Sequence, residues 1–263
     1  MKVIAVQRDE VFSPNSVAKD KAILQAVCDR LALRHGLSIS MITEKELTAG
    51  HHADVFLSMA RGRMALNLLQ EKEKQGALVL NSAFGVDRCD RGGLQELMIN
   101  NGIPVPPTDG PDGFWIKRAD QSAQSKADVV YCNDRAALAS MQASFVERGV
   151  TKWVVQAHVA GDLVKFYGVK GGFFHIYYPG DDGISKFGDE ALNGVPRHYE
   201  FDKAQLEAAA DLLSTLTDVA VYGGDAIIDA HGNFYIIDFN DWPSFSRCVS
   251  EAAEAICELV ERS

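Results

Sequence analysis

What this 263-residue chain lacks narrows its function early. It lacks positive charge: 26 Lys and Arg stand against 36 Asp and Glu, a formal net charge of −10. Proteins that grip nucleic acid or an anionic membrane show a basic excess or a basic stripe. Neither partner is therefore expected, although a local basic pocket for phosphates stays open. Cysteine is scarce and scattered. Cys28, Cys89, Cys132, Cys248 and Cys257 are odd in number and include no CxxC pair. That pattern suggests neither a zinc ribbon nor a disulfide framework. No apolar run approaches the ~20 residues of a membrane span. "MKVIAVQRDE" reaches Arg8 too soon for a signal peptide. The expected location is the reducing cytoplasm. Internal repeats and low-complexity segments are also missing.

What is present reads as an ordinary globular chain, with 47% hydrophobic and 24% charged residues. The length allows a large core and two or three subdomains. Strands at 2–7, 37–42, 53–59 and 76–81 alternate with helices at 16–35 and 63–75. Asn15 or Ser16 would cap the first helix and Gly36 would stop it. This alternation predicts a small parallel α/β unit. A further helix follows, with Asp90 as cap, Leu94, Leu97, Met98 and Ile99 on one face, and Gly102 at its end. Pro104, Pro106, Pro107 and Pro111 then mark a boundary that neither helix nor central strand survives. Beyond it come strands at 113–118, 127–132 and 152–159 around a helix at 133–149. The chain then turns antiparallel in character. Strands at 163–171 and 173–180 flank a Gly-Gly turn, 184–200 is irregular, and a helix covers 202–217. A hairpin joins 220–229 to 233–240, and a last helix runs from about 246 to 261.

The hairpin raises the chemical question. In "YGGDAIIDAHGNFYIIDFN", Asp238 and Asn240 lie two apart and so share one face of a strand. A tight turn near 230–232 brings Asp225 opposite Asp238. An isolated buried carboxylate costs several kcal/mol, so something must compensate it. Oxygen ligands of this kind suit Mg²⁺, which shares its shell with waters and phosphates. The alternative is that Asp238 and Asn240 only make turn and cap hydrogen bonds at a strand end.

"GGDAIIDAHGNFYIIDFNDWPSF" resembles the closing segment of the ATP-grasp superfamily. The resemblance implies that Asp225, Asp238 and Asn240 hold one or two Mg²⁺ ions, or Mn²⁺ in their place, under the triphosphate of ATP. Other segments match in the family's order. "LVLNSAFGVDRCDRGGLQELMINNGIPVPPT" is similar to the entry segment, with Arg91 where relatives often carry Lys. "FWIKR" is similar to the strand whose lysine, here Lys117, reaches the nucleotide phosphates. "VVQAHVAGD" resembles the hinge strand, which implies adenine contacts for Gln156, Ala157 and Val159 and a ribose contact for Asp162. "VKFYGV" resembles the next strand, whose basic residue, Lys165, faces the reacting phosphate or the substrate. The likeness covers about 78–263. It implies an α/β (α+β) ATP-grasp fold: an N-terminal unit at 1–80, a central lobe at 81–158 and a C-terminal lobe at 159–263. Two departures stand out. "ADQSAQSKADV" contains no glycine where relatives carry a glycine-rich phosphate loop, which leaves Ser122, Gln124, Ser125 and backbone amides to cover phosphates. Arg118 replaces a common Pro.

The branch with glutathione synthetase and D-alanine–D-alanine ligase implies an ATP-dependent carboxylate–amine ligase. Its substrate would be a small molecule or peptide bearing a carboxylate, and a homodimer is the default assembly. "VKFYGV" with "DFNDWPSF" also resembles the inositol phosphate kinase branch, and a third reading is an ATP-binding module without turnover. Arg247, just after the metal strand, is a catalytic candidate beside Lys165. Arg8, Arg61, Arg63 and Arg197 are further candidates for an acidic group, against surface salt bridges as the alternative. Outside the family context Lys117 and Lys165 read more simply as edge-strand solubility charges. His158 reads as a hydrogen-bonding residue rather than a catalyst, and "KFGDEALNG" (186–194) as a substrate loop or a plain turn.

Overall fold

A computed structural model describes residues 1–89, 91–120, 125–182 and 192–263. The expected cap Asp90, the expected phosphate contacts Ser122 and Gln124, and residues 186–191 of the expected substrate loop lie outside the described residues.

The first layer is a four-stranded parallel sheet in the order β2-β1-β3-β4. It is built from β1 (Val3–Gln7), α1 (Val17–His35), β2 (Ser40–Thr43), β3 (Val55–Ser58), α2 (Arg63–Lys74) and β4 (Leu78–Leu80). The central strands are buried on both faces, which is why they read as unbroken apolar runs. Val3, Ala5, Val55 and Leu57 pack toward α1. Ile4, Val6 and Phe56 pack toward α2. Gly36 ends α1 in the left-handed conformation at φ 62°, where a side chain would be strained.

The second sheet is antiparallel, in the order β6-β5-β7. It follows two short helices, α3 (Ala83–Arg88) and α4 (Arg91–Asn100), the first of which the sequence reading lacks. Its strands are β5 (Phe114–Arg118), β6 (Val129–Cys132) and β7 (Trp153–Ala157), with α5 (Arg135–Glu147) between the last two. Phe114, Ile116 and Cys132 bury one face against Leu138 and Phe145 of α5. Alternation places Trp115, Lys117 and Gln156 on the other face.

The third sheet is antiparallel, in the order β11-β10-β8-β9. It contains β8 (Asp162–Val169), β9 (Phe173–Tyr177), β10 (Val221–Ile228) and β11 (Phe234–Asp241), with α6 (Lys203–Thr217) on its back. Val164, Phe166, Ala226, Ile228, Ile236 and Phe239 pack onto α6 and onto Leu94 and Met98 of α4. The opposite face is divided. Tyr167, Val169 and Val221 join a core with Trp242, Phe245, α1 and the C-terminal helix α7 (Val249–Arg262). The same face carries Lys165, Asp225, Asp238 and Asn240. The prolines between the last two sheets lack N–H donors but keep their carbonyls. Pro107 accepts from Ala157 N–H (2.6 Å) and Pro104 from Ile236 N–H (2.8 Å), so one irregular segment ties edge strands of both sheets. No helix among the described residues is long and apolar enough to cross a membrane.

Candidate active site

The polar cluster on the third sheet is set by the β10–β11 pairing. Asp225 lies opposite Asp238, and the next pair is Ala226 with Ile236, so Ile237 is an extra residue on β11. This bulge resets the alternation. Ile236 and Phe239, three apart, both enter the core behind the sheet, while Asp238 and Asn240 share the front. The close approach requires glycine. A Cβ on Gly224 would meet the Asp238 carbonyl at 2.2 Å and the Phe166 ring at 2.4 Å.

Two carboxylates directly opposite each other repel unless compensated. Lys165, the neighbour of Asp225 on β8, compensates one: its Nζ donates to both Asp225 oxygens at 2.8 and 3.0 Å. Asp238 accepts from Phe239 N–H (3.1 Å) and from the Asn240 amide nitrogen (3.0 Å). Asn240 therefore turns its NH₂ to Asp238 and keeps its Oδ1 as an acceptor.

Lys117 reaches this site from the second sheet. Its Nζ donates to the Ile237 carbonyl at 3.0 Å, the backbone group of the bulged residue. Burial pushes the Lys117 ammonium from 10.5 down to about 8, with the negative charge of Asp238 opposing the shift and the positive charge of Arg91 adding to it. Arg91 opens α4 and donates to the Arg118 carbonyl at 3.0 Å.

Gln156 is buried and donates to Gln95 Oε1 at 3.2 Å. His158 N–H bonds the Gly113 carbonyl, which makes Phe114–Ala157 a non-hydrogen-bonded pair. Both backbone groups of Ala157 thus point off the sheet edge. Pro107 takes the N–H and leaves the carbonyl. Val159 follows β7 and is half-buried. Asp162, for which the resemblance implies a ribose contact, turns inward. It is 2% exposed, and its oxygens accept from Arg197 N–H (2.7 Å) and Tyr199 N–H (2.9 Å). Its carboxylate braces the 197–199 segment, so the geometry does not present it to a ribose. His158 Nδ1 is paired with Trp115 Nε1 at 3.2 Å, and burial lowers its pKa. Trp115, Tyr131 and His158 form a ring cluster with centroids 5.5 to 6.4 Å apart, a feature the sequence reading missed.

The arginines separate clearly. Arg63 makes an exposed pair with Asp87. The Arg197 guanidinium donates to Tyr199 Oη at 3.2 Å. Arg247 lies over the Tyr177 ring, 5.5 Å from its centroid, and Tyr177 is the cross-strand neighbour of Lys165. Arg8 and Arg61 are not surface charges. Both turn inward onto Asp241, the residue after Asn240. Burial alone would raise the Asp241 carboxyl, but Arg61 and Arg8 outweigh it and leave it below the usual range. Asp241 was missed, and its only signal was a second acidic residue in "DFND".

The donor set fits a hard divalent cation: two carboxylates that face each other and one free amide oxygen. Among the described residues no group of three His, Cys, Asp or Glu is placed to hold a metal. A cation here would complete its shell with phosphate oxygens and waters.

No protein-family profile matches the chain, and no curated protein matches it. Solved structures do. D-alanine–D-alanine ligase from Bacillus anthracis complexed with ATP superposes with TM-score 0.68 at 13% identity, covering 100% of this chain and 98% of that one. A RimK domain ATP-grasp protein from Sphaerobacter thermophilus gives 0.67 at 15% identity, with 98% of each chain covered. The ATP-grasp ligase PsnB, complexed with a phosphomimetic variant of its minimal precursor, Mg and ADP, gives 0.62 at 13%, covering 99% and 97%. The fold of this chain is the ATP-grasp fold.

Proposed function

We propose that the chain is an ATP- and Mg²⁺-dependent ligase that joins a carboxylate to an amine through an acyl phosphate. One observation carries the reading. Lys117 from the second sheet meets the backbone of β11 in the third, at the bulge beside Asp238 and within the field of Asp225. Charges suited to a polyphosphate thus converge from both sheets, and the structural relatives that share this fold include ligases.

Asp225, Asp238 and Asn240 would hold the cation, which neutralises phosphate charge when bound. Lys165 would exchange its hold on Asp225 for the transferred phosphoryl group. Lys117, already desolvated, would stabilise the same charge from the other side, with Arg91 behind it. A unit charge at ~4 Å contributes about 4 kcal/mol at an effective dielectric of 20, so positioning and electrostatics suffice for the phosphoryl step. Gln156, the Ala157 carbonyl and Val159 would meet adenine. Arg247, on the Tyr177 side of Lys165, would meet the substrate.

The test is ADP release from Mg-ATP with pooled small carboxylic acids and peptides in the presence of hydroxylamine. A hydroxamate identified by mass would establish the chemistry and name the acid. A stable phosphorylated product from a parallel pool of polyols and inositol phosphates would replace the ligase with a kinase. ATP binding with silence in both pools would favour a binding module.

A further inference from the structure

Asp241 is the second acid of "DFND", adjacent to Asn240 and three residues past Asp238. It pairs with Tyr222 on β10, so alternation turns it away from the face that carries Asp238 and Asn240, and it is 3% exposed. Its Oδ1 accepts from Arg61 Nε at 2.8 Å and its Oδ2 from Arg8 Nη2 at 3.0 Å. The grip extends to the backbone. Arg8 also donates to the carbonyls of Asp241 (3.2 Å), Trp242 (3.3 Å) and Met59 (3.2 Å), and its Nη1 lies 3.3 Å from Asp20.

Both guanidinium groups come from the first sheet. Arg8 follows β1, and Arg61 stands in the loop between β3 and α2. That loop is itself braced, since Glu44 accepts from Arg61 N–H (3.1 Å) and Gly62 N–H (2.7 Å). A continuous polar path therefore runs from the end of β2 through Arg61 to the last residue of β11. Two arginines balance two aspartates, so the cluster is neutral as a set, and removal of one member leaves a buried unpaired charge. Arg61 also lies in the field of Asp238.

We propose that Arg8 and Arg61 are positioning residues for the cation site. They lock the end of β11 through Asp241 and its neighbouring carbonyls, so that Asp238 and Asn240 are presented together. The first sheet thereby sets the geometry of a site that lies on the third. This inference rests on the metal reading proposed above.

The experiment titrates Mn²⁺ by electron paramagnetic resonance into the full chain with and without ADP. It uses wild type, Asp238→Asn, Arg61→Lys, Arg8→Lys and the charge-balanced double variant Arg61→Gln/Asp241→Asn. Metal-free ADP affinity and thermal unfolding are measured in parallel. Wild type should bind Mn²⁺, and Asp238→Asn should lose it. The arginine variants should stay folded, keep metal-free ADP affinity and bind Mn²⁺ ~10–100-fold more weakly, the loss seen when groups supporting metal ligands are altered. Should Arg61→Lys not fold, the double variant carries the test, because it leaves Arg8 paired with Asp20. Unchanged Mn²⁺ affinity in folded arginine variants would overturn the positioning role while leaving the metal site intact. Failure of wild type to bind Mn²⁺ even with ADP would overturn the metal reading itself, and the inference with it.

Discussion

Lys165 Nζ bridges both carboxylate oxygens of Asp225, at 2.8 and 3.0 Å, across neighbouring strands β8 and β10. The pair is partly exposed, with side chains 21% and 26% accessible, so as an ion pair it adds little stability. Its value lies in keeping an ammonium beside the cation site. Lys165→Met should lower turnover by ~10²–10³-fold, as for other lost charge-stabilising donors. ATP affinity and thermal stability should change little. Equal loss of ATP binding and turnover would instead assign Lys165 to nucleotide binding alone.

Asp238 has no cation within hydrogen-bonding distance among the described residues; its bonds are to Phe239 N–H and the Asn240 amide. Asp238→Asn preserves shape and both neighbours. Turnover in this variant should vanish at every Mg²⁺ concentration, with the fold retained by circular dichroism. Near-normal ATP turnover would sink the metal assignment.

Lys117 carries a pH signature. Its folded pKa of about 8 lies below its ordinary 10.5 because it is buried. Below pH 8 it is charged both free and bound. Between about 8 and 10.5 the unliganded folded chain has released a proton that the unfolded chain retains, so folding stability rises with pH there. A bound polyphosphate favours the charged form. ATP affinity should therefore fall as pH rises through 8, with proton uptake on binding. Calorimetry at pH 8.5 in buffers of different ionisation enthalpy measures that uptake, and Lys117→Met should abolish it.

Gly224 offers a stability test. A Cβ there would sit 2.2 Å from the Asp238 carbonyl, a backbone group that cannot swing aside. Gly224→Ala should cost about 1–3 kcal/mol or more, the range for overpacking. The cost is read from thermal or urea unfolding. An unchanged midpoint would contradict the close β10–β11 approach.

All five thiols are held protonated by burial. Cys28, Cys89 and Cys248 are raised to about 12 and Cys257 to about 11, and Cys132 is raised as well. A thiol reagent at pH 8 should label the native chain slowly and all five sites after denaturation. Rapid labelling of any cysteine in the native chain would show that its surroundings are more open than this packing.

Much was legible in the chain itself. The alternating strands and helices of the first 80 residues, the cap and stop of α1 and the pairing of Asp225 with Asp238 all follow from local rules. Periodicity, turn residues and a tight hairpin act over a few residues, so sequence spacing encodes them directly. The bulge at Ile237 was not legible, since "YIIDFN" reads equally well as a regular strand.

The sequence by itself determined most of the elements, their order and the hairpin that carries the candidate ligands, α3 excepted. Only the tertiary structure decided what surrounds them. It turned Asp162 inward onto the 197–199 backbone, brought Lys117 to a carbonyl 120 residues away, and closed Arg8 and Arg61 on Asp241 across 233 and 180 residues. Such contacts depend on how three separate sheets dock. Docking is governed by the summed burial of cores that no local window contains, and the charges left between the sheets then pair with whatever that packing brings near.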